Sequence, residues 1–515
     1  MIMSNRAMLW IFLTFLMAFA SVGAEQRPVL SAPLAVAPGV DGRLPQYCPQ
    51  VAWSKEARVW LVVWEDGWVS SDETARDGRA QDIYAARISQ DGKVLDPNGI
   101  PVCVARDFQG RPVVASDGKG FLVLWQDLRS GKDWDLYAAR VSGDGKVLDE
   151  GGAPVSGGEH NQCLPALTFV SPAGAGQSGG TYYAAWLDAR NFPEYRVLGG
   201  RISVDGKPAD GQGVELIRPM TDADLEKLRK ASFAPGKHGQ GWHNAVLQPF
   251  APVLAACGGT CVVSSYAAGW TGGVGEGGKA DGCFLRRVDA VGGQPMGQME
   301  TLNLQKASES RSWFYALESQ VYRPSLAAAG GGFLVAAYFH RHGFGADGNG
   351  VRVAAFLDAE GKPRMEGKLP AIRCIVTERA QHGVGYRTFG VRPNSLGLAW
   401  DGKRALHVAD RYIVAGKGID FDYDILGIFM DAEGRRLSDL GACVSVEPDK
   451  YSYDRSTGKQ EEDDPKVAPF MIAGGSAVQC VPAVAAGSEG SFLVVWQEEE
   501  PGKDSRIMAR VVGVK

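Results

Sequence analysis

The sequence predicts an all-β protein: a seven-bladed β-propeller of four-stranded blades, with the last blade closed by the N-terminal strand. Three observations predict this fold. A segment of fixed pattern recurs along the chain, and its tryptophans Trp64, Trp125 and Trp186 are each 61 residues apart. Each copy contains short apolar runs separated by glycine-containing turns. The last copy lacks one strand, whereas the N-terminus carries a strand without a hairpin partner.

The clearest copy of the repeat lies at residues 121–148. An apolar run ends in Trp125 and is followed by Asp127 and Arg129, and a second run covers residues 136–141. The first run is almost continuously apolar, which is typical of a strand buried on both faces. Stacking of blades produces such burial, so we expect each copy to form one blade with strands a to d in chain order.

Seven copies can be aligned along the chain. Their second strands lie at Trp64, Trp125 and Trp186, at residues 261–270, 333–339 and 406–411, and at Trp496. The spacing of roughly 60 to 90 residues exceeds most solenoid periods and suits four-stranded propeller blades with elaborated loops.

The two ends of the chain predict how the ring closes. The seventh copy has three strands, at residues 481–486, 492–497 and 506–512, and no fourth. Residues 29–37 resemble the fourth strands of the first two copies, at residues 94–105 and 147–156. An N-terminal strand that completes the last blade removes two exposed sheet edges.

The repeat unit resembles the Trp-x-Asp-x-Arg, Asp-Ile-Tyr-x-x-Arg, Asp-Gly repeat of secreted bacterial β-propeller proteins. The resemblance is strongest at residues 64–95 and 125–148 and partial at 186–207. It implies the propeller fold, but propellers of this sort include binding proteins, lyases and hydrolases. The turn at residues 89–92 is loosely similar to a sialidase Asp-box but lacks its spaced glycine and Thr-Trp ending, so it does not predict sialidase activity.

The N-terminus predicts export. Residues 1–24 have the pattern of a signal peptide cleaved after Ala24, with Arg6 before an apolar core at residues 7–20. That core is too short for a membrane span, and no other stretch is long enough. We therefore expect a secreted or periplasmic protein whose residues 25–515 form a single propeller. A net charge of −5 argues against nucleic-acid binding.

Nine cysteines in an exported chain predict disulfide bonds. Cys257 and Cys261 flank a tight hairpin, and Cys443 and Cys480 flank one connection between repeats; both pairs are candidates, although spacing does not determine connectivity. No Cys-x-x-Cys occurs, so the sequence does not predict a structural zinc site.

The predicted a–b and c–d turns are short, with one glycine-rich exception at residues 171–180, whereas the b–c and d–a connections are long. The longest insertions are residues 219–244, where Thr221 begins a predicted short helix, and residues 447–478. All b–c and d–a connections emerge on one face of a propeller, which we call the long-loop face. Loops on a rigid scaffold carry function, so we expect the functional site on this face.

The repeated Asp127 and Arg129, with counterparts such as Asp66, Asp82 and Asp188, favour a structural interpretation. A catalytic group is needed once, whereas a salt bridge or loop cap is needed in every blade. Non-repeated residues of the long-loop face are better site candidates. For ligand binding these are His238, His243, Arg323, Arg341, Tyr386, Arg392 and Tyr412, and for acid–base catalysis His340, His342 and His382.

Arg323 and Arg392 precede a proline at the start of strand a, as Arg111 does, where the central channel should open. Arginine can hold a carboxylate or sulfate with two hydrogen bonds. The alternative is that long polar loops simply collect His and Arg. Asp420, Asp422 and Asp424 offer alternate oxygens for a structural calcium ion, without the later residues of an EF-hand; the sequence predicts no other cofactor.

Two functional hypotheses follow, and the sequence leaves open whether the protein is an enzyme. The preferred one is an exported propeller that recognises an extracellular ligand, a polysaccharide or a protein, through its long-loop face. The alternative is a polysaccharide lyase or glycosidase acting on acidic glycans with a His/Tyr/Arg pocket at the channel mouth. The absence of any strong catalytic motif favours the binding module.

Overall fold

The structure, a computed structural model, describes most of the repeat units and few of the long connections. It covers residues 28–38, 45–67, 81–171, 179–219, 221, 248–268, 282–302, 319–341, 350–366, 369–370, 372–378, 396–414, 421–438, 442–444 and 469–514. The predicted signal peptide and all but the first residue of the predicted helix fall outside these ranges. The described residues contain only strands and turns, and they include no helix that could span a membrane.

The described strands form seven antiparallel sheets of four strand positions each, as the sequence predicts. Blade one consists of Gln46–Ser54, Val59–Gly67, Gln81–Ser89 and Ile100–Cys103. Blade two consists of Gln109–Ser116, Phe121–Asp127, Asp135–Val141 and Ala153–Ser156. Blade three consists of Gln162–Val170, Thr181–Asp188, Arg196–Ser203 and Val214–Ile217. Blade four consists of Gln248–Cys257, Thr260–Ala268, Gly282–Asp289 and Gln294–Leu302. Blade five consists of Ser319–Ala329, Gly332–Arg341, Gly350–Leu357 and Ile372–Glu378. A small hairpin of Met365–Glu366 and Leu369–Pro370 lies between its third and fourth strands.

Blade six departs from the predicted layout. Its first three strands are Leu396–Trp400, Ala405–Val414 and Phe421–Met430, followed by a hairpin of Arg436–Ser438 and Ala442–Val444. Phe470–Ala473, inside the predicted insertion 447–478, returns to pair with the third strand. Its first two residues are more exposed and its last two are buried, as in Ile100–Cys103 and Val214–Ile217, and Ile472 is fully buried. This strand therefore occupies the outer position of the blade.

Blade seven closes the ring. Val478–Ala486, Phe492–Glu499 and Arg506–Val514 are joined by the N-terminal Pro28–Leu30 and Leu34–Ala35, which pair antiparallel with the last strand. Ser31 N–H donates to Val511 O at 2.9 Å, and Val36 N–H donates to Ile507 O at 2.9 Å. Strand a of each blade contacts strand a of the next, and that of blade seven contacts that of blade one. The strands a therefore surround the central channel, and the predicted closure is confirmed.

The core lies between blades and is built by the second strands. In Phe121–Asp127, alternate residues point to opposite faces. Val123 and Trp125 pack against blade one, whereas Leu122 and Leu124 pack against blade three. All four are fully buried. A fully buried side chain of this kind contributes roughly 1.5–3 kcal/mol, so the apolar second strands hold neighbouring blades together.

The predicted disulfide between Cys257 and Cys261 is wrong. Cys261 lies opposite Ala256 in the hairpin, whereas Cys257 lies opposite Thr260. The two thiols therefore point to opposite faces of the sheet, and Cys261 packs toward blade three while Cys257 packs toward blade five. None of the six cysteines whose side chains the structure describes forms a disulfide bond, Cys480 included. Cys443 lies on Ala442–Val444, where only the backbone is described.

Candidate functional site

The repeated tryptophan, aspartate and arginine form one closed structural unit. Trp125 Nε1 donates to Asp127 Oδ2 at 2.8 Å, and Arg129 holds the same carboxylate with bonds of 2.8 and 2.6 Å. Arg129 also donates to Gly151 O and lies 3.9 Å from the centre of the Tyr137 ring. Blade three repeats this arrangement with Trp186, Asp188 and Arg190. Asp127 is fully buried, so these carboxylates cap the b–c loop rather than face a ligand.

A second repeated ion pair occurs in blades one, two and three, at the end of the blade opposite to the b–c loop. Arg87 binds Asp96 with bonds of 2.8 and 2.9 Å, and the pairs Arg140–Asp149 and Arg201–Asp210 repeat it. These pairs are not among the predictions from the sequence, although their constant spacing of nine residues is a signal that indicates them. They brace the c–d turns, which lie on the face opposite the long loops.

Blade one lacks the arginine of the repeated tryptophan–aspartate–arginine unit. Trp68 stands in the sequence position that corresponds to Arg129. Asp66 accepts bonds from Trp64 Nε1 at 3.0 Å and from Gln46 Nε2 at 3.3 Å. Across the strand pair it faces Asp82. Burial and the nearby Asp66 carboxylate raise the pKa of Asp82 to about 6.

A ring of unusual backbone conformations marks the channel mouth on the long-loop face. Each described strand a has a register shift near its start, beside an X-Pro step, except in blade six, where that step falls outside the described residues. The residue before the proline has a positive φ at Cys48, Arg111, Leu164, Ala251 and Val481, with values between 21° and 52°. Non-glycine residues rarely adopt this conformation, and it concentrates where a structure positions functional groups.

Hydrogen bonds between blades hold two of these strained residues in place. Arg111 N–H donates to Glu65 Oε1 at 2.6 Å, and Leu164 N–H donates to Gln126 Oε1 at 3.0 Å. Glu65 and Gln126 both follow the repeat tryptophan in the preceding blade. Blade one therefore supplies a carboxylate where blade two supplies an uncharged amide. The other carboxylate oxygen of Glu65 accepts a bond of 2.6 Å from Gln81 Nε2.

Arg111 is the described arginine of the channel mouth. It is exposed, and in the described part of the chain its guanidinium donates only to Cys48 Sγ, at 3.4 Å. A guanidinium has five N–H donors, and sulfur is a weak acceptor. Arg129 and Arg190, by contrast, are each held by a buried carboxylate. Toward the residues that the structure describes, the Arg111 guanidinium thus uses few of its N–H donors.

The thiols around Arg111 are not nucleophiles at neutral pH. Burial, followed by the charge of Glu65, raises the pKa of Cys48 to about 12. Burial and the charge of Asp188 raise the pKa of Cys163 to about 11. Since the thiolate is the reactive form, both groups remain protonated near pH 7. The described mouth is therefore suited to binding through Arg111 rather than to cysteine chemistry.

The structure places only some of the predicted site residues. Arg323 lies on Ser319–Ala329 at the register shift that corresponds to Arg111, and its description is limited to the backbone. The backbones of His340, Arg341 and Tyr412 lie at the ends of second strands on the long-loop face. The others, His238, His243, His342, His382, Tyr386 and Arg392, lie outside the described residues. Convergence of these residues into a pocket stays a prediction.

The candidate calcium ligands are only partly described. Asp424 is buried on Phe421–Met430, Asp422 is described only by its backbone on the same strand, and Asp420 is outside the described ranges. Across the described ranges, no group of three or more His, Cys, Asp or Glu residues could hold a metal ion. The calcium site stays a prediction.

The sequence predicts Arg111 only as a positional counterpart of Arg323 and Arg392, and it does not predict Glu65 or Cys48 as site residues. Glu65 and Cys48 belong to different strands of blade one, and Arg111 belongs to blade two. The signal available in the sequence was the X-Pro step, which starts strand a in all seven copies.

No protein-family model and no curated protein matches this chain. Among solved structures, it is similar to a protein of unknown function from Dyadobacter fermentans, with 10% identity over 95% of this chain and 99% of that chain and a TM-score of 0.41. A thermostable family-43 glycoside hydrolase has 11% identity over 67% and 96% of the two chains, with a TM-score of 0.34. Trypanosoma rangeli sialidase has 11% identity over 91% and 55%, with a TM-score of 0.36. With TM-scores below 0.5, these similarities carry no argument about function.

Proposed function

We propose that this protein is an exported binding module that recognises an acidic extracellular polysaccharide at the channel mouth of its long-loop face. The observation that carries the proposal is Arg111: an exposed guanidinium on a strained backbone, with Cys48 Sγ as its only hydrogen-bond acceptor among the described residues. A carboxylate or sulfate offers the planar or tripodal oxygens that a guanidinium binds with two hydrogen bonds.

The repeat supports a multivalent form of this site. Arg323 and Arg392 precede the corresponding prolines of blades five and six. Three arginines from blades two, five and six would meet repeated acidic groups along a polymer rather than one small anion. Weak contacts that act together on one chain raise the overall affinity well above that of each contact.

The carboxylate of Glu65 lies close to Arg111 and modulates the charge of this site without neutralising it. Both of its oxygens already accept hydrogen bonds, from Arg111 N–H and from Gln81 Nε2. It is only 6% exposed, so it orients the Arg111 backbone from below. Its negative charge lowers the attraction of anions to Arg111, which favours moderate affinity, and salt weakens the remaining attraction between the guanidinium and an anion.

Binding to a panel of acidic polysaccharides tests the proposal. The full mature chain is titrated with polygalacturonate, alginate and hyaluronate, and with dextran as a neutral polymer, by isothermal calorimetry at low and at 0.2 M salt. We expect binding to at least one acidic polymer, weakened by salt. Arg111→Ala should weaken it by about 10- to 100-fold, the value of charge-assisted hydrogen bonds.

Arg58→Ala provides the matched control. Arg58 is exposed, has a positive φ and lies on an a–b turn, on the face opposite the long loops. Its replacement should leave binding unchanged. The proposal fails if the wild-type protein binds none of the acidic polymers, or if Arg111→Ala and Arg58→Ala bind alike while both remain folded by circular dichroism.

A further inference from the structure

Three aromatic rings meet on the long-loop face of blade three. Phe192 lies in the b–c connection and is 60% exposed. Its ring centre lies 5.9 Å from that of His160 and 6.2 Å from that of Tyr195. His160 is itself exposed, in the connection between blades two and three. We call these three residues the aromatic platform. Single exposed apolar residues are ordinary, but Phe192 lies against two further rings, at an interplanar angle of 38° to His160 and of 88° to Tyr195.

Backbone hydrogen bonds hold the loops of the platform in one arrangement. Phe192 N–H donates to Ala189 O at 2.8 Å, and Ala189 N–H donates to Asn161 O at 2.9 Å, which ties the two connections together. Trp134 N–H donates to the side chain of Asn161 at 3.1 Å, so a third loop joins them. His160 is fixed with a φ of 60°. A ligand that meets this surface therefore finds the rings already positioned.

The surroundings of the rings distinguish a sugar from a protein surface. Glu159, Asn161, Asn191 and Glu194 are exposed beside the platform, so a small apolar area is bordered by hydrogen-bonding groups. Stable protein interfaces bury on the order of 1,000 Å² or more, and three rings supply far less. A pyranose with equatorial hydroxyls has the complementary form: an apolar face of axial C–H groups and a rim of hydroxyls.

We infer that the aromatic platform, with Phe192 as its exposed ring, is a stacking subsite for one pyranose ring of a glycan. This inference rests on the proposed function in one respect, namely that the glycan lies across the long-loop face. The platform adds what Arg111 does not: it recognises the apolar faces of sugar rings irrespective of their charge. A polymer held by both would carry acidic groups at the channel mouth and flat, equatorially substituted rings over blade three.

Neutral oligosaccharides separate the platform from the arginine site. Cellohexaose and xylohexaose are titrated against wild-type protein, Phe192→Ala and Arg111→Ala. We expect wild-type binding in the millimolar range, weakened by about 3- to 10-fold in Phe192→Ala, as for the loss of one aromatic contact. Arg111→Ala should bind these neutral probes as the wild type does. Saturation-transfer NMR should show the strongest signals for axial sugar protons, and Phe192→Trp should retain them.

Two further variants complete the test. His160→Asn keeps a residue that tolerates a positive φ while removing a ring, and should weaken binding to a smaller extent than Phe192→Ala. Val291→Ala removes a side chain that is 55% exposed on a c–d turn of the opposite face, and should change nothing.

The inference is overturned if Phe192→Ala binds the neutral probes as tightly as Val291→Ala does, or if no neutral probe binds the wild type. If acidic polymers still bind in either case, the proposed function stands without the platform. If neutral probes bind through Phe192 while acidic polymers do not bind at all, the platform stands and the arginine site fails.

Discussion

Blades one and two are built from the same repeat but neutralise their buried carboxylates differently. In blade two, Arg129 binds Asp127 with two hydrogen bonds. In blade one, Trp68 replaces that arginine in the sequence, and Gln46 provides an uncharged donor to Asp66 instead. The residue after the tryptophan also differs: Gln126 in blade two, Glu65 in blade one. Blade one therefore has two carboxylates, Glu65 and Asp66, at the positions where blade two has the amide of Gln126 and the carboxylate of Asp127.

The difference shows how a repeat scaffold acquires a site. In blade two, Arg129 pairs with Asp127 within the repeat unit, and Gln126 accepts the Leu164 N–H of blade three. Blade one gives up the internal arginine and presents Glu65 to the backbone of Arg111 in the next blade. The charged neighbour of the strained Arg111 backbone therefore comes from the blade that departs from the repeat.

The largest expected effect is on stability, and it tests directly whether blades one and two differ in how they neutralise their buried carboxylates. Asp127→Ala removes the acceptor of Trp125 and of Arg129, and leaves a partly buried guanidinium without its carboxylate. We expect a loss of about 3–5 kcal/mol in the free energy of unfolding. Asp66→Ala removes the carboxylate that accepts hydrogen bonds from two uncharged donors, Trp64 Nε1 and Gln46 Nε2. It also relieves the repulsion between Asp66 and Asp82, so we expect a smaller loss of about 1 kcal/mol. Urea unfolding followed by tryptophan fluorescence measures both.

Equal losses for Asp127→Ala and Asp66→Ala would show that the arginine contributes nothing beyond a neutral hydrogen bond. Asp188→Ala in blade three serves as the control, since its Arg190 contacts match those of Arg129. It should resemble Asp127→Ala.

The second effect is a pH dependence confined to blade one. The pKa of Asp82 is raised to about 6, above the value of about 3.9 for an unfolded chain. The folded protein then binds this proton more tightly than the unfolded chain does. The contribution of Asp82 to stability is therefore lost as pH rises from about 4 to about 6, and stays lost above that.

Asp82→Asn removes this penalty. Because the side chain is half-exposed, we expect a gain of only about 1 kcal/mol at pH 7.5 and none at pH 3.5, measured by chemical unfolding at both pH values. Asp135→Asn, at the corresponding position of blade two, should gain less, since Asp135 accepts a hydrogen bond from Gly158 N–H at 3.3 Å. A gain that is independent of pH would contradict the charge pair.

The smallest expected effect concerns Glu65. Glu65→Gln makes blade one resemble blade two and keeps an oxygen that can accept the Arg111 N–H, so the free energy of unfolding should change by less than about 1 kcal/mol. The pKa of Cys48 should fall, because the charge of Glu65 contributes to raising it. The alkylation rate of Cys48 as a function of pH, followed by mass spectrometry, checks this. An unchanged profile would mean that burial alone sets the pKa.

Much of the fold could be predicted because propeller blades repeat and because strand periodicity is local. Continuous apolar runs indicated the second strands, and the missing fourth strand of blade seven indicated the closure. The outer strand of blade six was missed because an insertion separates Phe470–Ala473 from the strand with which it pairs. The disulfide was predicted wrongly because spacing does not give register: Cys257 and Cys261 face opposite sides of one hairpin.

The candidate sites were harder to predict, since their residues come from separate elements. Glu65 contacts Arg111 only because strand a of blade two bulges before Pro112. His160 and Phe192 meet only because the connections of neighbouring blades are tied together. Neither contact has a sequence period. The sequence identified the face on which they lie, through the lengths of its loops, but not the contacts.

The closing strand has a consequence for how the chain could be cut. In the regular blades, the third and fourth strands are joined by c–d turns such as residues 89–93. In blade seven the same junction is open, with Pro28 directly opposite Val514. A short linker between these two residues would restore an ordinary turn, and the opening could then be moved to any other c–d turn. Such a circular permutant should form the same ring, because the blades are held by contacts between faces and not by the order in which they are synthesised.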